Sequence, residues 1–486
     1  MNSFTTNPFD DDKFHEECGV FGILGADDAA AHTALGLHAL QHRGQESAGI
    51  VSFDGAQFHS HRSLGYVGDN FNEEEVMSRL KGNAAIGHNR YATTGGTVLR
   101  NVQPLFAELE HGGLAIAHNG NLTNSAEIRR ELVKRGCIFQ STTDTEIFVH
   151  LIATSLYTKL VDRVIDAARK VVGAYSLIAL TNKKLVGMRD PAGVRPLVLG
   201  EFEGAPILAS ETCALDIIGA EFVREIEPGE LVVCTKDGVE SVKPFATTPN
   251  KFCIFEYVYF SRPDSICQGR SVYSVRKEIG SQLAKESHVE SDLVIPVPDS
   301  GTPAAIGYAQ EANIPFELGI IRNHYVGRTF IEPTQNIRHF GVKLKHNANR
   351  AEIEGKRVVL VDDSIVRGTT SKKIVEMVQE CGATEVHMRI ASPPTAHSCF
   401  YGIDTPSPDE LLAGRMDIAE MAKYIGVDSL AFLSNDGLYQ AVAGQSRDNE
   451  APQYCDACFT GEYPVPLIDQ KDGAAKSPLS LLAETA

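Results

Sequence analysis

The stretch Val358–Thr370, VVLVDDSIVRGTT, decides the fold of the second half of this chain. Val358 to Val361 are four consecutive apolar residues, the pattern of a short strand buried on both faces in a parallel sheet. Asp362 and Asp363 stand at its C-terminal end. The turn Arg367-Gly368-Thr369-Thr370-Ser371 follows and opens a helix with an apolar face of Ile374, Val375, Met377 and Val378. Ligands of open α/β sheets bind at that edge. A glycine turn at a helix N-terminus offers backbone N–H groups to a phosphate, helped by the helix dipole. Paired acids in front of it can hold sugar hydroxyls directly or through a hydrated Mg²⁺. Any one of these elements fits a solvated strand-turn-helix, but the whole run points to a phosphorylated sugar.

A second loop reinforces that reading. Asp292 to Ile295 (DLVI) is another short apolar strand, and Pro296-Val297-Pro298-Asp299-Ser300-Gly301-Thr302 follows it before a helical stretch. Such a loop suits pyrophosphate, with Ser300 placed to reach a metal. Between Arg322 and Arg350 stand six Lys or Arg residues and one acid, Glu332. Taken alone that run is a solvated loop. Beside a multiply phosphorylated substrate it is a source of cations that can close over the reacting carbon. Arg328, Arg338 and Lys345 are the candidates.

The first half has a different texture. Gly19–Gly25, Glu46–Phe53, Gly113–Ala117 and Tyr175–Leu180 read as strands bounded by glycine or polar turns. Asn124 to Gly136 reads as a helix, with Asn124 as N-cap, Glu127 three residues on and Gly136 as the stop. Strands with interspersed helices suggest a layered α+β domain. The junction is expected near residue 245, and a structureless tail from about Asp469.

Bulk properties narrow the class. With 486 residues there is room for two or three domains, and 43% hydrophobic with 22% charged residues is ordinary globular composition. No apolar run is long enough to span a bilayer. The first 17 residues carry Asp10, Asp11, Asp12, Glu16 and Glu17, unlike a secretory signal or an Arg-rich transit peptide. A cytoplasmic location is the expectation. A net charge of -18 argues against general nucleic-acid binding. Ten scattered cysteines do not form a secreted disulfide framework. Cys455-x-x-Cys458 is a metal-ligand pair with Cys253 and Cys399 as the remaining corners. Four thiolates suit zinc or an iron–sulfur cluster, and spacing does not choose between them.

Five polar patches interrupt the apolar pattern of the first half: Glu17-Cys18-Gly19, Gln41 to Gln45, Gly87 to Gly95 (GHNRYATTG), Ala117 to Asn121 (AHNGN) and Thr142 to Glu146. Singly each is weak, since a cysteine in a strand is more often a small core residue. In this order they resemble the class II glutamine amidotransferase domain of the N-terminal-nucleophile family, and VVLVDDSIVRGTT resembles the signature of type I phosphoribosyltransferases for phosphoribosyl pyrophosphate (PRPP). The two together are similar to the amidophosphoribosyltransferases, over nearly all of residues 18 to 465. Residues 1 to 17 resemble the propeptide of one branch.

The resemblance implies a four-layer αββα domain over 18–245 and a phosphoribosyltransferase domain over 246–465, with 1–17 removed and 466–486 a tail. It makes Cys18 the nucleophile on the glutamine amide. Asn119 and the N–H of Gly120 become the oxyanion donors, while Arg90 holds the substrate carboxylate and Asp144 its amine. Arg43 and Thr93 complete that pocket. For PRPP it implies Asp299, Ser300, Gly301, Asp362, Asp363, Ser364, Arg367, Gly368, Thr369 and Thr370, with Mg²⁺ at Ser300, Asp362 and Asp363. It implies a [4Fe–4S] cluster on Cys253, Cys399, Cys455 and Cys458, feedback inhibition by purine nucleotides and a homotetramer. The implied reaction is the first step of purine nucleotide synthesis, giving 5-phosphoribosylamine, glutamate and pyrophosphate. Chemistry explains why a leader should leave: a free α-amine with a pKa of about 8 can act as a base, and an amide nitrogen cannot.

Two other readings share parts of this pattern. An amidotransferase acting on another sugar phosphate would have the same first half but no reason for the DDSIVRGTT run. A PRPP-sensing regulator would keep that run, but not Cys18, Arg90, Asn119 and Asp144 together, and would carry a basic DNA-binding element.

Overall fold

A computed structural model gives the structure of residues 18–91, 98–110, 112–322, 346–403, 405 and 407–471. The first half stacks two antiparallel sheets. One has seven strands, in the spatial order Glu221–Glu225, Val198–Phe202, Ala205–Ala209, Gly19–Leu24, Ala84–Arg90, Ser47–Phe53 and Phe58–Leu64. The other has six, ordered Gly238–Val242, Leu231–Thr235, Leu185–Arg189, Gly173–Thr181, Gly112–Leu122 and Leu105–Leu109.

Side chains alternate across each strand, so each sheet has two apolar faces to cover. The inner faces meet through Val20, Val51 and Ile86 on one side and Ala115, Ala117, Ile178 and Leu180 on the other. Phe21, Ile23 and Ile50 point the opposite way, onto helix Ala29–Ala39. The second sheet's outer face, with Leu114, Ile116, Leu177 and Ala179, packs on helices Ser125–Lys134, Thr145–Thr154 and Leu160–Ala168. The result is the four-layer αββα arrangement that the resemblance implied.

In the second half, strands Leu293–Pro296, Arg357–Asp362, Glu385–Ile390 and Ser429–Phe432 form a wholly parallel sheet in that order. A parallel bridge between Val294 and Phe316 adds the intervening segment on the outer edge. Counted with it, the spatial order is 2-1-3-4-5, and the chain reverses its direction of travel between Leu293–Pro296 and Arg357–Asp362. That point is where such sheets bind ligands. Val358, Val359, Leu360 and Val361 are all fully buried, each contributing at most about 1.5–3 kcal/mol by transfer from water. Helices Val272–Ser287, Thr302–Ala312 and Asn435–Ala443 cover one face, and Thr369–Glu380 and Ile418–Ile425 the other.

Two sequence expectations change. The helix expected from Asn124 spans Ser125–Lys134, but Asn124 does not cap it with its side chain. That amide instead bridges Lys170 O and Val172 N. The orphan N–H groups of Ala126 and Glu127 are taken by the carboxylate of Asp469, at 2.9 and 3.2 Å. The tail expected to be structureless from 466 is therefore anchored at its start. Ile468–Lys471 is a short helix, Thr123 Oγ1 donates to Pro466 O, and Asp469 N donates to Thr123 O. A helix start leaves N–H groups that need an acceptor, and this half-buried one finds it more than 340 residues away. Among the described residues no helix is long and apolar enough to cross a membrane.

Candidate active sites

Cys18 immediately precedes strand Gly19–Leu24, whose register sets Gly19 opposite Asn89. Cys18 thus falls beside Arg90 at the end of the neighbouring strand. Its thiol is buried and lies 3.7 Å from Tyr91 O. Burial pushes that thiol up to about 11. The Arg90 guanidinium draws it down, and Asp144 and Glu46 add to the rise. A thiol, a cation and a carboxylate from three separate elements share one electrostatic neighbourhood.

Asp144 stands at the start of helix Thr145–Thr154, and its Oδ2 accepts from Leu122 N at 2.9 Å. That bond ties it to the strand carrying Asn119 and Gly120. Across the sandwich His88 Nε2 donates to His118 O at 3.2 Å, holding the same strand against the one that ends in Arg90. Both imidazoles are kept neutral by burial, His88 at about 3. Asn119 is fully buried, and among the described residues its amide oxygen and nitrogen have no partner. An unpaired buried amide costs free energy. It is the state expected of a group kept open for a ligand atom. Gly120 has φ 135°, and a Cβ there would lie 2.0 Å from Ala174 O. Only glycine fits.

Arg43 does something else. Its side chain is buried between Glu211 of the first half and Glu256 of the second, paired with both. Arg195 Nη1 also reaches Glu256, at 3.5 Å, and His42 Nε2 reaches Glu211 at 2.7 Å. The geometry makes Arg43 a joint between the halves. Sequence reading missed Glu211, Glu256 and Arg195. A single acid inside the apolar run Cys253–Phe260 was the available signal, because a buried charge needs a partner.

The second site lies at the sheet's switch point. Asp362 and Asp363 end their strand nearly inaccessible to solvent. Asp363 N donates to Asp362 Oδ1 at 2.9 Å, and Ser364 Oγ to Asp363 Oδ1 at 2.6 Å. Gly301 of the neighbouring loop is pressed against this strand end, where a Cβ would meet Val361 O at 2.4 Å. The two loops expected to share a ligand are thus side by side. Asp299 pairs with Arg322, and Arg367 with Glu410 at 3.3 Å. Gly368, at φ 79°, is the N-cap of helix Thr369–Glu380, placing Thr369 and Thr370 in its first turn. Ser300 lies in the same loop as Asp299, one residue before Gly301. Residues 1–17, Thr93, Arg328, Arg338 and Lys345 lie outside the described residues.

The cysteine quartet converges as well. Ile254 N donates to Cys455 O and Cys455 N to Phe252 O, so Cys253 and Cys455 are bridged. Ala396 N and His397 N both donate to Cys458 O. Burial pushes Cys455 up to about 12 and Cys253 and Cys458 well above the usual thiol range, with charge on neighbouring quartet thiols adding to the rise. Among the described residues no three His, Cys, Asp or Glu side chains stand at metal-holding distance. The thiols are gathered but not drawn together.

These features define a class: a glutamine amidotransferase domain joined to a phosphoribosyltransferase domain. Family comparisons agree, matching a glutamine amidotransferase domain at residues 88–216 and a phosphoribosyl transferase domain at 266–392. The amidophosphoribosyltransferase of Rhizobium etli is 61% identical, covering 99% of this chain and 98% of its own. That of Bacillus subtilis is 49% identical, over 93% of this chain and 95% of its own. A solved structure of the B. subtilis glutamine PRPP amidotransferase, complexed with ADP and GMP, superposes with a TM-score of 0.88 at 47% identity. It covers 93% of this chain and 98% of that one. The chain belongs to the amidophosphoribosyltransferase family.

Proposed function

We propose that the chain hydrolyses glutamine at Cys18 and passes the ammonia to C1 of PRPP, yielding 5-phosphoribosylamine, glutamate and pyrophosphate. The observation that carries this is the neighbourhood of Cys18, Arg90 and Asp144 in a chain that also ends a parallel strand in Asp362-Asp363. Once residues 1–17 are removed, the Cys18 amine takes the thiol proton and the thiolate attacks the glutamine amide carbon. Asn119 and Gly120 N–H stabilise the oxyanion as the thioester forms and ammonia leaves. Water then releases glutamate. Arg90 offers a planar fork to the substrate carboxylate, Asp144 pairs with the amine, and Thr93 completes the pocket. Arg43, which also joins the two halves, lines the pocket beside Thr93.

At the other site Asp362 and Asp363 orient the ribose. Ser364, Arg367, Gly368, Thr369 and Thr370 form the 5-phosphate cradle at the helix start, and Asp299, Ser300 and Gly301 face the pyrophosphate. Arg328, Arg338 and Lys345 supply positive charge. Carboxylate and hydroxyl oxygens suit a hard cation, so Ser300, Asp362 and Asp363 would hold Mg²⁺, which supplies charge neutralisation of the leaving group. The test is stoichiometry: in the absence of ammonia, pyrophosphate release from PRPP should require glutamine and match glutamate formed. Pyrophosphate release without any dependence on a nitrogen donor would end the proposal.

The all-thiol set of Cys253, Cys399, Cys455 and Cys458 suits a [4Fe–4S] cluster tying the C-terminal stretch to the body. Anaerobically purified protein should be brown, with iron and sulfide; stoichiometric zinc without iron would overturn this. Purine nucleotides as feedback inhibitors fit a family whose B. subtilis member is described with ADP and GMP. A homotetramer completes the reading. A cytoplasmic setting fits ten free cysteines, since reducing compartments keep thiols unpaired.

A further inference from the structure

The strand carrying Asn119 and Gly120 is touched by a segment from the far half of the chain. A Cβ on Gly402 would lie 2.8 Å from Gly120 Cα and 2.9 Å from its carbonyl carbon. Asn121 Nδ2 donates to Phe400 O at 2.9 Å. Gly120 is therefore clamped between two backbones, Ala174 of its own sheet and Gly402 of the second half. Gly402 has φ 111°, so both the conformation and the space there require glycine.

The Phe400–Gly402 segment is itself held by two distant partners, Arg195 and Val465. Arg195 Nε donates to Tyr401 O at 2.8 Å. Tyr401 OH donates to Val465 O, and Tyr401 N lies 3.3 Å from Cys399 Sγ. Arg195 in turn pairs with Glu256, the acid shared with Arg43. A segment fixed this firmly fixes whatever it touches.

We infer that Phe400–Gly402 is a positioning element for the glutaminase site, setting the direction of the Gly120 N–H through backbone contact with Gly402 and the bond from Asn121. This rests on the reading of Asn119 and Gly120 as oxyanion donors. A donor must aim at the atom on which charge develops, and losing one costs about 10²–10³ in kcat. A donor turned away loses part of that, while glutamine binding through Arg90 and Asp144 is untouched.

The test compares Gly402→Ala, Asn121→Ala and Asn119→Ala in the full-length processed enzyme, each assayed with glutamine and with ammonia. The expectation for Gly402→Ala is a fall of about 10–100-fold in glutamine-dependent kcat. The glutamine KM should move less than about threefold, and the ammonia-dependent rate should be kept. Asn121→Ala should show the same split at about 5–10-fold. Asn119→Ala tests the underlying reading: if it leaves glutamine turnover intact, the oxyanion assignment falls, and this inference with it. If Asn119→Ala is crippled while Gly402→Ala, competent with ammonia, turns over glutamine normally, the positioning role alone is overturned. Should Gly402→Ala lose both activities, Asn121→Ala decides. A kcat loss confined to glutamine upholds the inference, and an unchanged glutamine kcat ends it.

Discussion

The two sites are built in opposite ways. The phosphoribosyl site is written almost contiguously: one strand end with its following turn, and one loop on the neighbouring strand. The proposed glutamine site draws on Cys18, Arg90, Asn119 and Asp144, spread over more than a hundred residues and several elements. A parallel strand and its helix deliver a ligand-binding turn by themselves, because strand end and helix start coincide. A sandwich delivers a site only where strands from two sheets reach the same end. Contiguous sites survive local change around them; dispersed sites depend on distant packing.

Cys18→Ala should break the comparison most sharply, lowering the glutamine-dependent rate by at least about 10⁴-fold while ammonia-dependent synthesis persists. Retained glutamine turnover would remove Cys18 from the mechanism. Replacing Asp362 and Asp363 together by Asn should lower synthesis from either nitrogen source by about 10³-fold. A variant defective with glutamine alone would show that the acids serve the wrong site.

Alkylation sharpens the first site further. With its nitrogen in an amide, the Cys18 thiol is pushed up to about 11 by burial, so modification by iodoacetamide should keep rising beyond pH 9 in the unprocessed chain. After removal of residues 1–17, an amine of pKa about 8 can take the proton, and the rate should level off near that pH. Identical profiles before and after processing would contradict the role of the amine.

Arg43→Met should destabilise the protein by about 3–5 kcal/mol, because it leaves Glu211 and Glu256 buried without their shared partner. A raised glutamine KM with unchanged thermal stability would leave Arg43 a substrate contact and deny the joint any weight. The smallest effect expected is that of Asp469→Ala, about 1 kcal/mol from loss of a helix cap. Unchanged unfolding of the first half would deny the cap any weight.

How legible each part was follows from these constructions. The strand Val358–Val361 and its acid tip were readable because a buried parallel strand is apolar throughout and its polarity changes abruptly at the ligand edge. The layered first domain was readable in its strands, but its site emerged only through resemblance, since no local physics links Cys18 to Asn119. Asn124 misled because an N-cap residue type is compatible with other bonds, and a distant carboxylate took the cap. The ion pairs of Arg43 were not legible, because a buried joint and a substrate-binding arginine look alike in sequence. Glu256, a lone acid in an apolar run, was a signal of a buried partner that went unread, and it does not say which partner.

The last described turn of the chain, Ile468–Lys471, closes on the helix that begins at Ser125. A polypeptide grows from its N-terminus, so the first half emerges first, yet the backbone against Gly120 and the carboxylate on its helix are translated only with the second. The packing of the first half is thus completed only by residues that are made with the second.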